Sequence, residues 1–129
     1  MRRLAAPCAI LMLLAGCGGD DDEEQPRGVT VNPNSTLRVT GEEYSFDPGR
    51  VIVSGAGPLT IRLRNEGSLA HNLRLRRMGE DIGGTPVLPA GRTGPARVNL
   101  EPGRYEMVCT VGDHEELGMV GELEVRQER

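Results

Sequence analysis

The fold is decided by residues 103–125, which read GRYEMVCTVGDHEELGMVGELEV. Apolar and polar residues alternate at both ends of this stretch, over residues 103–109 and again over residues 121–125. Alternation with a period of two is typical of a half-buried β-strand, because successive side chains of a strand point to opposite faces. The stretch therefore predicts two strands joined by a polar loop that begins at Cys109.

The same period of two recurs between residues 37 and 100, where no segment shows a helical repeat. Further strands are predicted at residues 37–40, 44–46, 50–53, 59–65, 71–75 and 97–100. The connection over residues 76–96 is rich in Gly and Pro and is predicted to be irregular, with room for one distorted strand. Seven or eight short strands separated by turns predict an all-β, antiparallel Greek-key sandwich.

Composition and charge limit the class of function. The chain has 129 residues, with Tyr 2, Phe 1 and no Trp, and its net charge is −4. One small domain is expected from this length. Nucleic-acid binding is not expected, because it uses aromatic side chains for base stacking and a basic face for phosphates.

Residues 1–16 are predicted to be an export signal. Arg2 and Arg3 precede an apolar run over residues 4–14, which is too short to span a bilayer as a stable helix. The run LAGC at residues 14–17 resembles the bacterial lipobox, in which the cysteine is acylated and becomes the mature N-terminus. The resemblance implies that Cys17 anchors the protein to the outer face of the cytoplasmic membrane or to a periplasm-facing membrane. The alternative is a plain secretory peptide with a coincidental cysteine.

Residues 17–36 are predicted to be an acylated N-terminus with a flexible tether, and residues 37–129 to be the folded domain. Five consecutive acids at residues 20–24 and the lack of apolar periodicity are typical of a solvated segment. Without Arg2 and Arg3 the exported chain has 13 basic and 19 acidic residues, a net charge of −6. Of the three cysteines, only Cys109 lies in the predicted domain, so no internal disulfide is expected.

The chemistry of the chain concentrates in the loop over residues 109–119. Cys109, His114 and Met119 lie in this loop, and the only other histidine of the chain is His71. A blue-copper electron-transfer centre uses one thiolate, two imidazoles and a weak axial thioether, because soft sulfur stabilises Cu(I) while nitrogen suits both oxidation states. These four side chains are therefore candidate ligands of one copper ion.

Residues 37–125 resemble the cupredoxins, the family of plastocyanin and azurin. The matching pieces are YSF-x-P at 44–48, N-x-G at 65–67 followed by HN at 71–72, PG-x-Y at 102–105 leading into Cys109, and GM-x-G-x-L-x-V at 118–125 after His114. The resemblance implies that His71, Cys109 and His114 are equatorial copper ligands and Met119 the axial one. It also implies that Asn72, together with Thr110, supports the ligands from behind and ties the two ligand-bearing segments together.

Other chemistries fit these residues less well. Structural zinc takes four Cys, His or carboxylate ligands and leaves Met119 without a role. A protease pair of Cys109 and His114 lacks an orienting partner and oxyanion donors. A dinuclear copper centre needs a second cysteine in the loop, and a multicopper oxidase needs several domains and more histidines. We therefore expect a binding protein rather than an enzyme.

Two functions remain open, a membrane-tethered carrier of single electrons and a module that stores or delivers copper. The closed Cys, His and Met set favours the carrier, because delivery proteins often expose many Met and His ligands. In the family the loop imidazole reaches the surface, so the resemblance implies docking around His114. Asp113, Glu115 and Glu116 would surround an apolar patch that includes Leu117. This arrangement predicts a monomer whose redox partner has a basic docking face.

Overall fold

The computed structural model describes residues 28–127. The predicted signal at residues 1–16, Cys17 and the acidic run at residues 20–24 lie outside the described residues. The described chain contains ten strands: β1 (Gly28–Val31), β2 (Thr36–Glu42), β3 (Ser45–Asp47), β4 (Arg50–Val53), β5 (Gly57–Asn65), β6 (Arg74–Arg77), β7 (Glu80–Gly84), β8 (Thr93–Leu100), β9 (Gly103–Val108) and β10 (Val120–Val125). Between residues 28 and 127 there is no helix with the length and apolar character needed to cross a bilayer.

The strands form two sheets that enclose one hydrophobic core. One sheet has the order β1-β4-β10-β9-β6-β7 and the other the order β3-β2-β5-β8. Every second side chain of the central strands is buried, as the period of two predicts. The core includes Leu37, Val39, Val51, Val53, Leu59, Ile61, Leu63, Tyr105, Met107, Leu123 and Val125. The predicted all-β sandwich is confirmed.

The prediction that neighbouring strands are all antiparallel is wrong. Strand β2 pairs with β5 in parallel, and β4 pairs in parallel with both β1 and β10. Between β2 and β5 the chain crosses to the opposite sheet to form β4. Because no hairpin joins the two partners, nothing forces them to run in opposite directions. The alternation of side chains predicts strands but does not identify their neighbours.

Two regions contain more regular structure than the sequence indicates. Strand β1 lies within the segment predicted as a tether, and it is held by main-chain pairing with β4 while most of its residues stay exposed. The short alternation of Val29, Thr30 and Val31 was the available signal. In the connection predicted to be irregular, β7 pairs with β6 across a register shift, and β8 begins at Thr93 rather than at residue 97. These differences account for ten strands rather than seven or eight.

One end of the sandwich, which we call the site end, gathers the segments that carry the predicted ligands. Strand β5 ends there at Asn65, opposite Gly41 of β2. Strand β9 ends there at Val108, which pairs with both Arg74 of β6 and Val120 of β10. The loop after β9 and the segment before β6 therefore meet at this end.

Candidate metal centre

The loop between β9 and β10 is closed by its own main chain. The Met119 N–H donates to the His114 carbonyl at 2.9 Å, and the Cys109 N–H donates to the Met119 carbonyl at 3.2 Å. Gly112 (φ 51°) and Gly118 (φ 106°) adopt the left-handed conformations that the tight turns of the loop require. These turns bring the three predicted ligands of the loop to its base.

His71 is held in the segment between β5 and β6 by a buried amide. Asn65 is fully buried, and its Nδ2 donates to the carbonyls of Leu69 at 2.8 Å and Leu88 at 2.9 Å. Its Oδ1 accepts the N–H of Gly67 at 2.9 Å. The main chain of His71 pairs with that of Leu88 in both directions, at 3.1 and 2.8 Å. The segment between β5 and β6 is therefore held by the Asn65 side chain and by the main chain of Leu88.

The two segments bring three donor atoms together. His71 Nδ1 lies 3.2 Å from His114 Nδ1. Cys109 Sγ lies 3.9 Å from His71 Nδ1 and 3.5 Å from His114 Nδ1. His71 and Cys109 have 0% exposure and His114 has 6%. A thiol and two imidazoles therefore converge in a site from which water is almost excluded.

These distances fit one bound metal ion. A first-row ion such as zinc lies about 2.0–2.1 Å from a histidine nitrogen and about 2.3 Å from a cysteine sulfur. Every separation between the three donors is shorter than the sum of two such bonds, so one ion can contact all three. The ligand atoms of His71, Cys109 and His114 lie within 4.8 Å of one another.

Met119 follows directly after this cluster and is fully buried. Its main chain is hydrogen-bonded to both His114 and Cys109. Its methyl group packs beside Gly41 of β2, where an added Cβ would lie 3.4 Å from Met119 Cε. All four predicted ligands therefore lie at the site end, three of them with their donor atoms in mutual contact.

Asn72 and Thr110 connect the two segments, in the arrangement that the family resemblance implied. Asn72 Nδ2 donates to Thr110 Oγ1 at 2.8 Å, and the Thr110 N–H donates to Asn72 Oδ1 at 2.8 Å. The Asn72 side chain is buried. Because each residue adjoins a predicted ligand, this two-way contact fixes His71 relative to Cys109.

Glu43 is a residue of the site that the sequence analysis missed. It lies in the turn between β2 and β3, and its Oε1 is 3.0 Å from His71 Nε2. The N–H of Leu69 donates to the same oxygen at 2.8 Å. This N–H lowers the pKa of the Glu43 carboxyl, and His71 adds to the effect. No sequence signal indicated this contact, because Glu42 and Glu43 together are typical of a solvated turn.

Of the four predicted docking residues near His114, three are exposed and one is held in an ion pair. Asp113, Glu116 and Leu117 are exposed. Glu115 is ion-paired with Arg76, which lowers the pKa of the Glu115 carboxyl. The Tyr44 ring contacts the His114 ring edge-on, with centroids 5.1 Å apart.

Besides Glu115, the Arg76 guanidinium binds a second carboxylate, that of Glu106, at 2.8 Å. Glu115 is therefore held against the body of the sandwich, whereas Asp113 and Glu116 are exposed to solvent.

Comparison with solved structures identifies the fold. An auracyanin from Roseiflexus castenholzii is 20% identical with a TM-score of 0.66 and covers 70% of this chain and 96% of its own. Auracyanin A of Chloroflexus aurantiacus, described as a "blue" copper protein, is 23% identical with a TM-score of 0.63, covering 76% and 100%. Rusticyanin from Thiobacillus ferrooxidans is 17% identical with a TM-score of 0.60, covering 75% and 82%. No protein-family model and no curated protein sequence matches the chain. The described residues have the cupredoxin fold.

Proposed function

We propose that this chain, with its cupredoxin fold, is a type 1 blue copper protein that carries single electrons between redox partners. The observation that carries the proposal is the convergence of one thiol and two imidazole nitrogens within 4.8 Å of one another. Two histidines, one cysteine and a weak axial methionine are the ligand set of blue-copper electron-transfer sites. His71, Cys109, His114 and Met119 would hold one copper ion, which supplies a one-electron change between Cu(I) and Cu(II).

The residues of the chain contribute rigidity and an exit for the electron. The two-way contact between Asn72 and Thr110 holds both ligand segments in one geometry, so little rearrangement accompanies a change of charge at the site. Burial of Cys109 excludes water from the thiolate. His114 alone of the three converging residues keeps some exposure, at 6%, and its ring offers the short path to a partner.

Adding Cu(II) to the purified apo protein tests the proposal. We expect one copper per chain, an intense thiolate-to-copper absorption, a matching electron paramagnetic resonance spectrum and reversible one-electron reduction. Met119→Leu should keep the colour and raise the reduction potential, because loss of a weak axial donor destabilises Cu(II) more than Cu(I). Copper binding without reversible reduction would contradict the carrier and favour storage or delivery.

We also propose that Cys17 is acylated and tethers the protein to a membrane outside the cytoplasm. The support is the lipobox resemblance at residues 14–17, followed by the acidic run at residues 20–24. Lipid chains contribute about 0.8 kcal/mol per buried CH₂, so more than one chain is needed for stable anchoring. Mass spectrometry of the mature N-terminus and membrane fractionation test the anchor, with Cys17→Ala as the control. An unacylated chain that begins elsewhere would contradict it.

The redox partner is proposed to present a basic face to the surface around His114. Asp113 and Glu116 are exposed there, and Leu117 is 50% exposed between them and the following strand. A small interface with charge steering suits a carrier that must dissociate readily.

The double variant Asp113→Asn/Glu116→Gln should slow electron transfer to a basic cytochrome at low salt and flatten its ionic-strength dependence. Glu80→Gln/Glu124→Gln is the matched control at the opposite end of the sandwich, and the reduction potential is measured for each variant. An unchanged salt slope in the first pair would contradict the docking surface.

A further inference from the structure

A carboxylate from outside the two ligand segments reaches the His71 ring. Glu43 Oε1 lies 3.0 Å from Nε2, whereas Nδ1 of the same ring faces Cys109 and His114. The two residues are 28 positions apart and belong to different sheet connections. The His71 ring is fully buried, while the Glu43 side chain is 29% exposed. Glu43 therefore closes the outer side of the ring.

Gly67 provides the space for this contact. A Cβ at Gly67 would lie 2.8 Å from Glu43 Cδ and 2.9 Å from His71 Nε2, and closer still to the carboxylate oxygen. Real Cβ atoms do not approach so closely, so only glycine allows the carboxylate to reach the ring. Gly67 is itself held by Asn65, which accepts its N–H. The segment that carries His71 therefore leaves the space in which Glu43 contacts the ring.

We propose that Glu43 is a positioning residue that fixes the His71 tautomer and shifts the metal site toward Cu(II). This inference rests on the copper site proposed above. An Nε2–H that donates to Glu43 leaves the lone pair of Nδ1 facing Cys109 and His114, which is the state that a metal ligand needs.

A carboxylate that accepts the remote N–H of a ligand histidine also makes the imidazole a stronger donor. Cu(II) carries one more positive charge than Cu(I), so it gains more from a stronger donor and a nearby negative charge. Loss of the Glu43 carboxylate should therefore weaken binding of Cu(II) more than binding of Cu(I).

The first experiment uses the apo protein and does not depend on copper. Nitrogen-15 NMR of the full chain should show the Nε2–H tautomer of His71 in wild type and a mixture of tautomers in Glu43→Ala. Glu42→Gln is the matched control, because the neighbouring carboxylate is exposed and should leave the His71 spectrum unchanged. A wild-type tautomer in Glu43→Ala would overturn the proposal.

The second experiment measures copper affinity and reduction potential in the same variants. Glu43→Ala should weaken Cu(II) binding about 10–100-fold, the usual effect of removing such a partner. The potential should rise by about 59 mV for each factor of ten by which Cu(II) is weakened more than Cu(I). Glu43→Gln can still accept the N–H but lacks the charge, so its potential should lie between wild type and Glu43→Ala.

Gly67→Ala breaks the contact between Glu43 and His71 while it keeps the negative charge of the Glu43 carboxylate. Its added Cβ would lie 2.8 Å from Glu43 Cδ and 2.9 Å from His71 Nε2, which breaks their contact. We therefore expect the tautomer and the potential to change in the same direction as in Glu43→Ala. If Glu43→Ala fails to fold, the reduction potentials of Gly67→Ala and Glu43→Gln test the proposal instead. Wild-type potentials in both would overturn the proposal. Absence of the blue band in wild type would contradict the copper site, while the NMR experiment would still decide whether Glu43 positions His71.

Discussion

The two segments that carry the predicted ligands are held by different kinds of contact. The loop over residues 109–119 is closed by hydrogen bonds among its own residues, such as that from Met119 to His114. The segment over residues 66–72 depends on distant residues instead, since Asn65 reaches Leu88 and His71 reaches Glu43. One half of the site is therefore held mainly by contacts within its own loop, and the other half also by contacts with residues distant in the sequence.

The largest effect is expected from removing the thiolate of the local half. Cys109→Ser should abolish the intense absorption of the copper-loaded protein, because the band arises from the sulfur ligand. Visible spectroscopy at equal copper loading measures this. Cys17→Ser is the control, since it removes the other cysteine that follows the predicted signal and should keep the colour. An intense band that survives Cys109→Ser would assign the thiolate elsewhere.

The dependence of the second half on distant contacts is tested next. Asn65→Ala should lower the free energy of unfolding of the apo protein by about 2–3 kcal/mol, because it removes the hydrogen bonds to the carbonyls of Leu69 and Leu88 and the one from the N–H of Gly67. Denaturant unfolding measures the loss. Asn99→Ala, at an exposed position of β8, should change it by less than about 0.5 kcal/mol. Equal losses in both variants would contradict the dependence of the His71 segment on the contacts of Asn65.

The two histidines should differ in how readily they are replaced by free imidazole. Copper-loaded His114→Gly should regain its colour at an imidazole concentration about tenfold lower than His71→Gly, because the buried His71 cavity fills only in the fraction of molecules that open. Absorbance titrations of the two variants measure the difference. Equal half-points would mean that the two halves of the site are equally accessible.

The link between the halves is expected to contribute a smaller energy. Asn72→Ala removes both hydrogen bonds of the two-way contact, whereas Thr110→Val removes only the bond from Asn72 Nδ2 to Thr110 Oγ1. A double-mutant cycle on unfolding of the apo protein should give a coupling of about 1 kcal/mol. Additive losses would show that the side-chain hydrogen bond between Asn72 and Thr110 contributes no coupling between the two segments.

The smallest effect concerns the hairpin of β6 and β7, which continues the His71 segment. Asp81 accepts two hydrogen bonds from Arg74, at 2.7 and 2.8 Å, and this lowers the pKa of its carboxyl below the ordinary value of 3.8. A lowered pKa stabilises the folded state above pH 3.8, and this contribution disappears as the pH falls through the folded value. Its size should not exceed about 0.5 kcal/mol, because the pair is half-exposed.

Unfolding measured between pH 6 and pH 2 should therefore show a slightly smaller acid-induced loss in Asp81→Asn than in wild type. Asp47→Asn, at an exposed position of β3, is the control. An unchanged acid dependence in Asp81→Asn would mean that the hairpin pair contributes nothing.

The sequence reveals the local half of the site far better than the other half. Cys109, His114 and Met119 stand within 11 residues, so their spacing alone indicates a metal loop. His71 could be identified as a candidate ligand because it is the only histidine of the chain outside this loop. Glu43 could not be found, because its contact joins residues that the fold alone brings together. The parallel pairing of β2 with β5 was missed for the same reason, since alternation gives the buried face of a strand but not its neighbour.

The direction of β1 determines how the molecule would be held from its N-terminus. Gly28 pairs with Arg50, which pairs with Glu122, so β1 begins beside the site end and runs away from it. Any pull on the chain before Gly28 is therefore applied at the edge of the six-stranded sheet, nearer the site end than the opposite end of the sandwich. Eleven residues from Cys17 to Gly28 span at most about 40 Å when fully extended. A molecule fixed at Cys17 would keep Gly28, and with it the start of β1, within that distance of the attachment point, whichever way the rest of the body turned.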